Sequence, residues 1–160
     1  MAGSEPGTTE HLHATCITID GKAALLLGPS GSGKSDLGLR LIHSRLLVAG
    51  RPVTAHLVAD DQVVLEAQPG RLIARPPASL AGLCEVRGLG ILRLPHRAEA
   101  DVTLAIKLTS PQDIERLPDR KQHFQVLQHR LPLVHLAPFE ASAPLKVALA
   151  LLLGPESWNP

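Results

Sequence analysis

Residues 28–35 form a glycine-rich stretch whose residue types suit phosphate binding. They match the pattern G-x-x-x-x-G-K-[ST] in full. Glycines let the backbone fold so that successive N–H groups point at phosphate oxygens, and the positive end of a following helix adds to the attraction. We therefore expect the nucleotide-binding residues to be Gly28, Pro29, Ser30, Gly31, Ser32, Gly33, Lys34 and Ser35.

The last two residues of this motif have chemically distinct tasks. Lys34 is expected to neutralise the β- and γ-phosphates, and the Ser35 hydroxyl is expected to hold Mg²⁺. An ordinary Gly/Ser turn before a helix is the alternative, but average residue usage gives a chance match in roughly one chain of this length in a few hundred. The motif predicts nucleotide binding without naming a reaction.

Two adjacent carboxylates, Asp60 and Asp61, follow the apolar segment 55–59. In phosphate-loop proteins an acidic residue at the end of a neighbouring strand reaches the Mg²⁺ ion. One carboxylate of the pair could hold the metal while the other accepts a proton. A solvated turn after a strand is the alternative, and the phosphate-binding motif favours the functional interpretation.

Glu85 and His13 are weaker candidates when taken alone. Glu85 precedes Gly88 and Gly90 in a strand-like run, and glycines there indicate a bulge or a close backbone approach beside which a carboxylate could bind metal. An edge-strand glutamate explains Glu85 equally well. His13 stands just before the first predicted strand, a place where histidine is usually a surface residue.

A sheet must position these residues. Apolar runs at 23–27 and 55–59 predict strands buried on both faces. Alternation predicts strands at 14–19 and 102–108. Further strands are expected at 63–65 and 72–74, paired as a hairpin, at 131–136, and at 83–94, where the strand is interrupted by glycines.

Helical patterns are few. Apolar spacing predicts a helix over 34–44, and a second over 144–153 that ends at Gly154. We therefore predict an α/β fold, a β-rich core in which a P-loop (Walker A) joins a buried strand to a helix. The predicted organisation is one domain at 12–155, with a flexible N-terminus at 1–11 and a C-terminal tail at 156–160.

The composition excludes several classes of partner. The chain has 160 residues, with 16 basic and 15 acidic side chains, so no strong overall field favours nucleic acid or a membrane surface. Its aromatic residues are Phe124, Phe139 and Trp158, too few for a single-strand stacking platform. Because all three lie outside the motif region, we expect the triphosphate and metal, rather than a ring stacked on the base, to hold the nucleotide.

Other sequence features favour a cytoplasmic protein. The two cysteines form no C-x-x-C pair, and no run of apolar residues is long enough to span a bilayer. The start of the chain also lacks the pattern of a secretory signal. We expect free thiols in a reducing compartment.

The order of the motifs resembles the catalytic domain of HPr kinase/phosphorylase, the bacterial enzyme that phosphorylates a serine of the phosphocarrier HPr. The matching residues are His13, residues 28–35, Leu57-Val-Ala-Asp-Asp61 and Leu83-Cys-Glu-Val-Arg-Gly-Leu-Gly-Ile91. The last stretch is nearly private to that family. The chain is similar to the short alphaproteobacterial form, which lacks an amino-terminal domain.

The resemblance implies a role for each matching position. Asp60 would be the general base that takes the proton of the target serine, and His13 would hydrogen-bond and tune it. Asp61 and Glu85 would bind metal together with Ser35, and Lys34 would act on the transferred phosphate. The implied cofactors are ATP and Mg²⁺, and the implied partner is an HPr-like phosphocarrier. Members of the family form hexamers, so the resemblance also implies a homo-oligomer, although the sequence leaves the oligomeric state open.

One region departs from the family pattern. Long members carry an arginine loop of the form R-P-G-R before their last helix, whereas residues 137–144 here contain no arginine. The reverse reaction, phosphorolysis, therefore lacks its expected arginines, for which Lys146 or Arg130 are candidate substitutes. We predict an ATP- and Mg²⁺-dependent serine protein kinase. The alternatives are a non-catalytic nucleotide or phosphate sensor that binds a regulatory partner, and a small-molecule kinase, which would need a larger helical lid.

Overall fold

The structure, a computed structural model, describes residues 7–158. Within these residues two α-helices, α1 (Lys34–His43) and α2 (Ala143–Leu153), pack on a large sheet. The strands are β1 (Thr9–His13), β2 (Thr15–Ile19), β3 (Lys22–Leu27), β4 (Leu46–Val48), β5 (Arg51–Val53), β6 (Ala55–Ala59), β7 (Gln62–Gln68), β8 (Arg71–Arg75), β9 (Leu83–Val86), β10 (Gly90–Arg93), β11 (Ala100–Leu108), β12 (His123–Val126) and β13 (His129–Leu136).

Nine of these strands form one mixed sheet. The order is β1-β7-β8-β11-β3-β2-β6, with β13 added to β11 and β12 added to β13. β11 runs parallel to both β3 and β13, while β2 is antiparallel to both β3 and β6. It follows that β3, β6, β11 and β13 all point the same way.

The sheet curls back on itself. β1 lies at one end of the strand order, yet only Ala14 separates it from β2, which lies near the other end. The backbone N–H of Ala14 donates to the carbonyl oxygen of Asp61 at 3.1 Å, which fixes the segment between β1 and β2 to the end of β6. Two separate hairpins, β4–β5 and β9–β10, complete the strands.

The apolar residues of β3 are buried on both faces of the sheet. Ala24 and Leu26 pack in the cluster that contains the buried sides of α1 and α2. Ala23 and Leu25 pack in a second cluster with residues of β7 and β8. The continuous apolar run 23–27 is therefore explained by two covered faces, as predicted.

Most of the long predicted elements are confirmed. These are the strands at 14–19, 23–27, 55–59, 102–108 and 131–136, the hairpin turning at residues 69–70, and both helices. The mixed α/β, strand-rich fold class is also confirmed. The segment 83–94 is a β9–β10 hairpin turning around Gly88 rather than one interrupted strand.

The predicted ends of the chain need correction. Residues 9–11, expected to be flexible, belong to β1 and pair with β7. Residues 155–157, which overlap the predicted tail, form a 3-10 turn, and Trp158 packs against the core. The remaining parts of the predicted flexible end and tail, residues 1–6 and 159–160, lie outside the described residues.

Within residues 7–158, neither helix has the length and apolar character needed to cross a bilayer.

Candidate functional site

The predicted site residues meet at one edge of the sheet because the strands that carry them share a direction. β3 leads into the glycine-rich loop, β6 into Asp60 and Asp61, and β13 into residues 137–140. β2 runs the opposite way and begins at this edge with Thr15. Crevices at the carboxyl ends of strands in open α/β sheets are where ligands usually bind.

The glycine-rich loop is a tight turn that enters α1. Gly31 and Gly33 have φ values of 81° and 98°, in the left-handed region that glycine adopts without a steric penalty. The N–H of Ser32 donates to the carbonyl oxygen of Pro29 at 3.1 Å, and that of Leu37 donates to Gly33 at 2.9 Å to begin the helix. The free N–H groups of the first helical turn therefore face the loop.

Lys34 is a buried cation that lacks an anionic partner. Its side chain is 6% exposed, and Nζ donates to the carbonyl oxygens of Gly28 and Pro29 at 2.7 and 2.9 Å. Among residues 7–158 no carboxylate forms an ion pair with it. Because a buried charge is costly without a counter-charge, an anion bound in the loop would stabilise this arrangement.

The loop also contains an unsatisfied hydroxyl. Ser32 Oγ is buried and finds no hydrogen-bond partner in the described part of the chain. A buried donor without an acceptor costs about 1–3 kcal/mol. A buried hydroxyl without an acceptor fits a loop that binds an anion, because the anion would accept the hydrogen bond.

Asp60 is held rigidly at the centre of the site. It is 7% exposed, and its Oδ1 accepts hydrogen bonds from Ser35 Oγ at 2.7 Å and Thr15 Oγ1 at 2.9 Å. Its Oδ2 accepts from the backbone N–H of Glu85 at 3.3 Å. This carboxylate therefore links the starts of α1 and β2 to β9.

The Cys84 thiol lies beside this carboxylate. Burial of the thiol is the larger cause, and the negative charge of Asp60 the next, that raises the pKa of Cys84 to about 12.

Asp61 occupies a different environment from its neighbour. Its backbone has a φ of 66°, and its Oδ1 lies 3.1 Å from Nδ1 of His13, with side chains 63% and 53% exposed. The expectation that His13 contacts Asp60 is therefore wrong, since the histidine pairs with Asp61. His13 reaches this position because β1 pairs with β7, which places it opposite Gln62.

Glu85 approaches the site mainly through its backbone. Its side chain is exposed on β9, and it lines the same cleft as Ser35 and Asp61. Within the described residues, however, no group of three or more His, Cys, Asp or Glu side chains is arranged to hold a metal ion. Ser35, one of the three expected metal ligands, instead donates its hydroxyl hydrogen bond to Asp60, the residue expected to be the general base.

These groups line one open cleft of about 400 Å³. It is lined by His13, Ser30, Gly31, Gly33, Lys34, Ser35, Asp36, Leu39, Asp60, Asp61, Glu85, Val86, Arg87 and Phe139. Hydroxyl and carboxylate oxygens are ligands that Mg²⁺ prefers, and the loop with its lysine suits phosphates. The residues present thus fit a nucleotide with its metal ion.

Five residues that line the cleft were not assigned to the site from the sequence: Asp36, Leu39, Val86, Arg87 and Phe139. Arg87 stands within the predicted segment 83–94, but no role was assigned to it. Phe139 lies outside the motif region in sequence, yet its ring lies against Gly33 in the fold. An aromatic ring is therefore present beside the loop, and the expectation that the triphosphate and metal hold the nucleotide stays a prediction. Among the candidate substitutes for the missing arginines, Lys146 pairs with Glu140 at 2.6 Å, and Arg130 lies away from the residues lining the cleft.

Comparison with known proteins identifies close family relationships. The family model described as "HPr Serine kinase C-terminal domain" matches residues 6–147. An HPr kinase/phosphorylase of Cupriavidus necator is 35% identical over 149 residues, which cover 86% of this chain and 42% of that protein. One of Malacoplasma penetrans is 29% identical over 135 residues, covering 77% and 42%.

The fold also matches a solved structure. The Hpr(Ser) kinase/phosphatase from Coxiella burnetii superposes with a TM-score of 0.70 at 24% identity, covering 86% of this chain and 91% of the other. The chain spans about two fifths of the length of the curated relatives given above.

Proposed function

This chain belongs to the HPr serine kinase C-terminal domain family, and we propose that it is an ATP- and Mg²⁺-dependent kinase that phosphorylates a serine of an HPr-like phosphocarrier. The observation that carries the proposal is the buried ammonium of Lys34, which forms no ion pair with a carboxylate among the described residues. It lies in the same cleft as Asp60, which is buried, and Asp61, which is exposed. Relatives that match most of the chain are named HPr kinase/phosphorylase.

The loop residues would hold the nucleotide through its phosphates. The N–H groups at the start of α1 and the Lys34 ammonium would face phosphate oxygens, and the Ser32 hydroxyl would gain the acceptor that it lacks. Ser35 and Asp60 would hold Mg²⁺, which supplies charge neutralisation at the transferred phosphoryl group. Most of the catalytic effect would then come from positioning and electrostatics.

The two aspartates divide the remaining chemistry according to their exposure. Asp60 is buried, and both of its carboxylate oxygens already accept hydrogen bonds, so it is poorly placed to reach an incoming serine. Asp61 is exposed and is bonded on one oxygen to His13. We therefore assign the general-base role, which the resemblance gave to Asp60, to Asp61, with His13 as the residue that orients it.

A transfer assay tests the proposal. The chain is incubated with an HPr-like phosphocarrier, Mg²⁺ and ATP labelled at the γ-phosphate, and phosphoserine is detected on the carrier. We expect labelled serine with the wild-type chain and none with Lys34→Met, which retains the shape but loses the charge. Nucleotide binding without any transfer by the wild-type chain would instead support the sensor function.

A further inference from the structure

Phe139 is an exposed aromatic ring inside the candidate site. It is 70% exposed, although full burial of such a side chain is worth about 1.5–3 kcal/mol. A methyl group built on Gly33 would lie only 2.9 Å from the ring carbon Cζ of Phe139. The glycine thus lets the ring lie directly against the loop that is suited to phosphates.

The backbone around Phe139 is fixed on both sides by one side chain. The guanidinium of Arg40, on α1, donates to the carbonyl oxygens of Pro138 and Glu140. The same arginine is held by Asp36 at 2.9 Å. An exposed ring with an anchored backbone loses little conformational freedom on meeting a ligand, which favours binding.

The carboxylates and the segment that carries the ring contact different sides of α1. Ser35, which contacts Asp60, and Arg40, which contacts the Phe139 segment, are five residues apart and so about 140° apart around α1. In the proposed reaction the transferred phosphate faces the carboxylates and the metal. The nucleoside end of the nucleotide would then extend away from the carboxylates, towards the side of α1 that holds the Phe139 segment.

We propose that Phe139 stacks on the base of the bound nucleotide. The inference rests on the proposed function and assigns to the same site its base-binding surface. It also sets an expectation for selectivity. Because every base offers a π-face to a ring, stacking is tolerant of base identity, and Phe139 contributes equally to the binding of ATP and GTP.

The test compares a ligand that has a base with one that has none. Affinities for Mg²⁺·ATP, Mg²⁺·GTP and inorganic tripolyphosphate are measured by calorimetry for the wild-type chain, Phe139→Ala and Phe139→Trp. The control is Leu117→Ala, which truncates a side chain that is 74% exposed and lies outside the cleft. Base stacking is worth about 1–3 kcal/mol, or roughly 5- to 150-fold in affinity.

We expect Phe139→Ala to weaken ATP and GTP binding at least fivefold, to leave tripolyphosphate binding unchanged, and to be rescued by Phe139→Trp. Equal losses for all three ligands would overturn the inference, because they indicate damage to the loop. Unchanged nucleotide affinity with a raised KM for the phosphocarrier would also overturn it and assign Phe139 to protein docking. In both cases the proposed kinase function survives, whereas a wild-type chain that binds neither ATP nor tripolyphosphate contradicts both.

Discussion

Two neighbouring carboxylates, identical in chemistry, differ in what surrounds them. Asp60 directly follows β6 and is buried, whereas Asp61 takes a left-handed backbone conformation and lies against His13 at the surface. On a regular strand successive side chains point to opposite faces. The break in regular geometry after β6 brings both carboxylates to one cleft with different exposures, and each is therefore suited to a different step.

The exposed carboxylate is expected to control the rate of transfer. Replacing Asp61 by Asn removes the acceptor for the serine proton but keeps the size of the side chain. General-base catalysis contributes about 10²–10⁴-fold, so we expect a loss of that order in phosphoserine formation with the affinity for Mg²⁺·ATP retained. Single-turnover transfer and calorimetric binding measure the two effects separately. A variant with wild-type turnover would remove Asp61 from the base role.

The buried carboxylate is expected to control metal-dependent binding and folding. In Asp60→Asn, an amide NH₂ replaces an oxygen that accepts a hydrogen bond, so it must face at least one of the present donors. The backbone N–H of Glu85 cannot become an acceptor. We expect a loss of about 1–3 kcal/mol in unfolding free energy, and an ATP affinity that no longer responds to Mg²⁺. Urea unfolding and Mg²⁺ titrations check both effects.

A matched substitution makes the Asp60 result interpretable. Asp113→Asn removes an exposed carboxylate in the 3-10 turn Pro111–Asp113, which contributes no residue to the cleft. We expect it to leave both stability and Mg²⁺ dependence unchanged. Mg²⁺-dependent ATP binding of wild-type strength in Asp60→Asn would contradict the metal assignment.

At the scale of elements, the segments that could be predicted are those whose local pattern is complete. β3, the glycine-rich loop and α1 follow one another in sequence, so an apolar run, a motif and a helical period identify them together. β1, the β4–β5 hairpin and β12 were missed because they are short or polar, and because they are defined by partners elsewhere in the chain. No local pattern in residues 9–11 predicts that they pair with β7.

The same distinction separates the predicted from the missed site residues. The loop and the aspartates lie within recognisable motifs. Phe139 is more than a hundred positions from Gly33 and reaches it only because β13 runs parallel to β11 and β3, so that the segment after β13 emerges at the edge where the loop lies. The pairing of His13 with Asp61 likewise depends on β1 and on the turn after β6.

The close contact between α1 and β2 at Gly38 allows a prediction about how these two elements pack. A Cβ at Gly38 would lie 3.3 Å from Cγ2 of Thr15 and 3.6 Å from that of Ile17, so the helix approaches the strand closely. We expect Gly38→Leu to lower the unfolding free energy by about 1–3 kcal/mol through overpacking. It should also weaken ATP binding, because Thr15 holds Asp60.

The smaller variant provides the control. In Gly38→Ala the contact is tight but the helix gains up to about 1 kcal/mol in propensity, so the two effects oppose and we expect near-neutral stability. Both variants are compared by urea unfolding and by ATP affinity. If Gly38→Leu were as stable as Gly38→Ala, α1 would not be seated on β2 as closely as the structure has it.

At the scale of the whole molecule, two apolar layers enclose the sheet, and both thiols of the chain are buried. Cys16 is fully buried in the layer that contains β7 and β8, and Cys84 is nearly so beside Asp60. Burial raises the pKa of each thiol from an ordinary value of 9.0 to about 12. Both thiols are therefore protonated at neutral pH, and we expect neither to react with a disulfide reagent at pH 8 until the chain unfolds.

The raised thiol pKa values predict how stability depends on alkaline pH. Above pH 9 the unfolded chain releases its thiol protons, whereas the folded chain keeps them up to about pH 12. The unfolded state then binds fewer protons, so the free energy of unfolding falls as pH rises through this window, by roughly 1 kcal/mol per pH unit for each thiol once the unfolded thiols are ionised. Urea unfolding at pH 8, 9.5 and 10.5 measures the slope.

A cysteine variant separates this contribution from other alkaline titrations. The chain has no tyrosine, so lysines are the main other side chains that titrate there, and they are shared by wild type and Cys16→Ala. We expect the variant to be less stable at pH 8, because it loses packed volume, but to lose stability less steeply above pH 9. Identical slopes for the two proteins would mean that Cys16 ionises as readily in the folded as in the unfolded chain, and the layer around it would then be open to water.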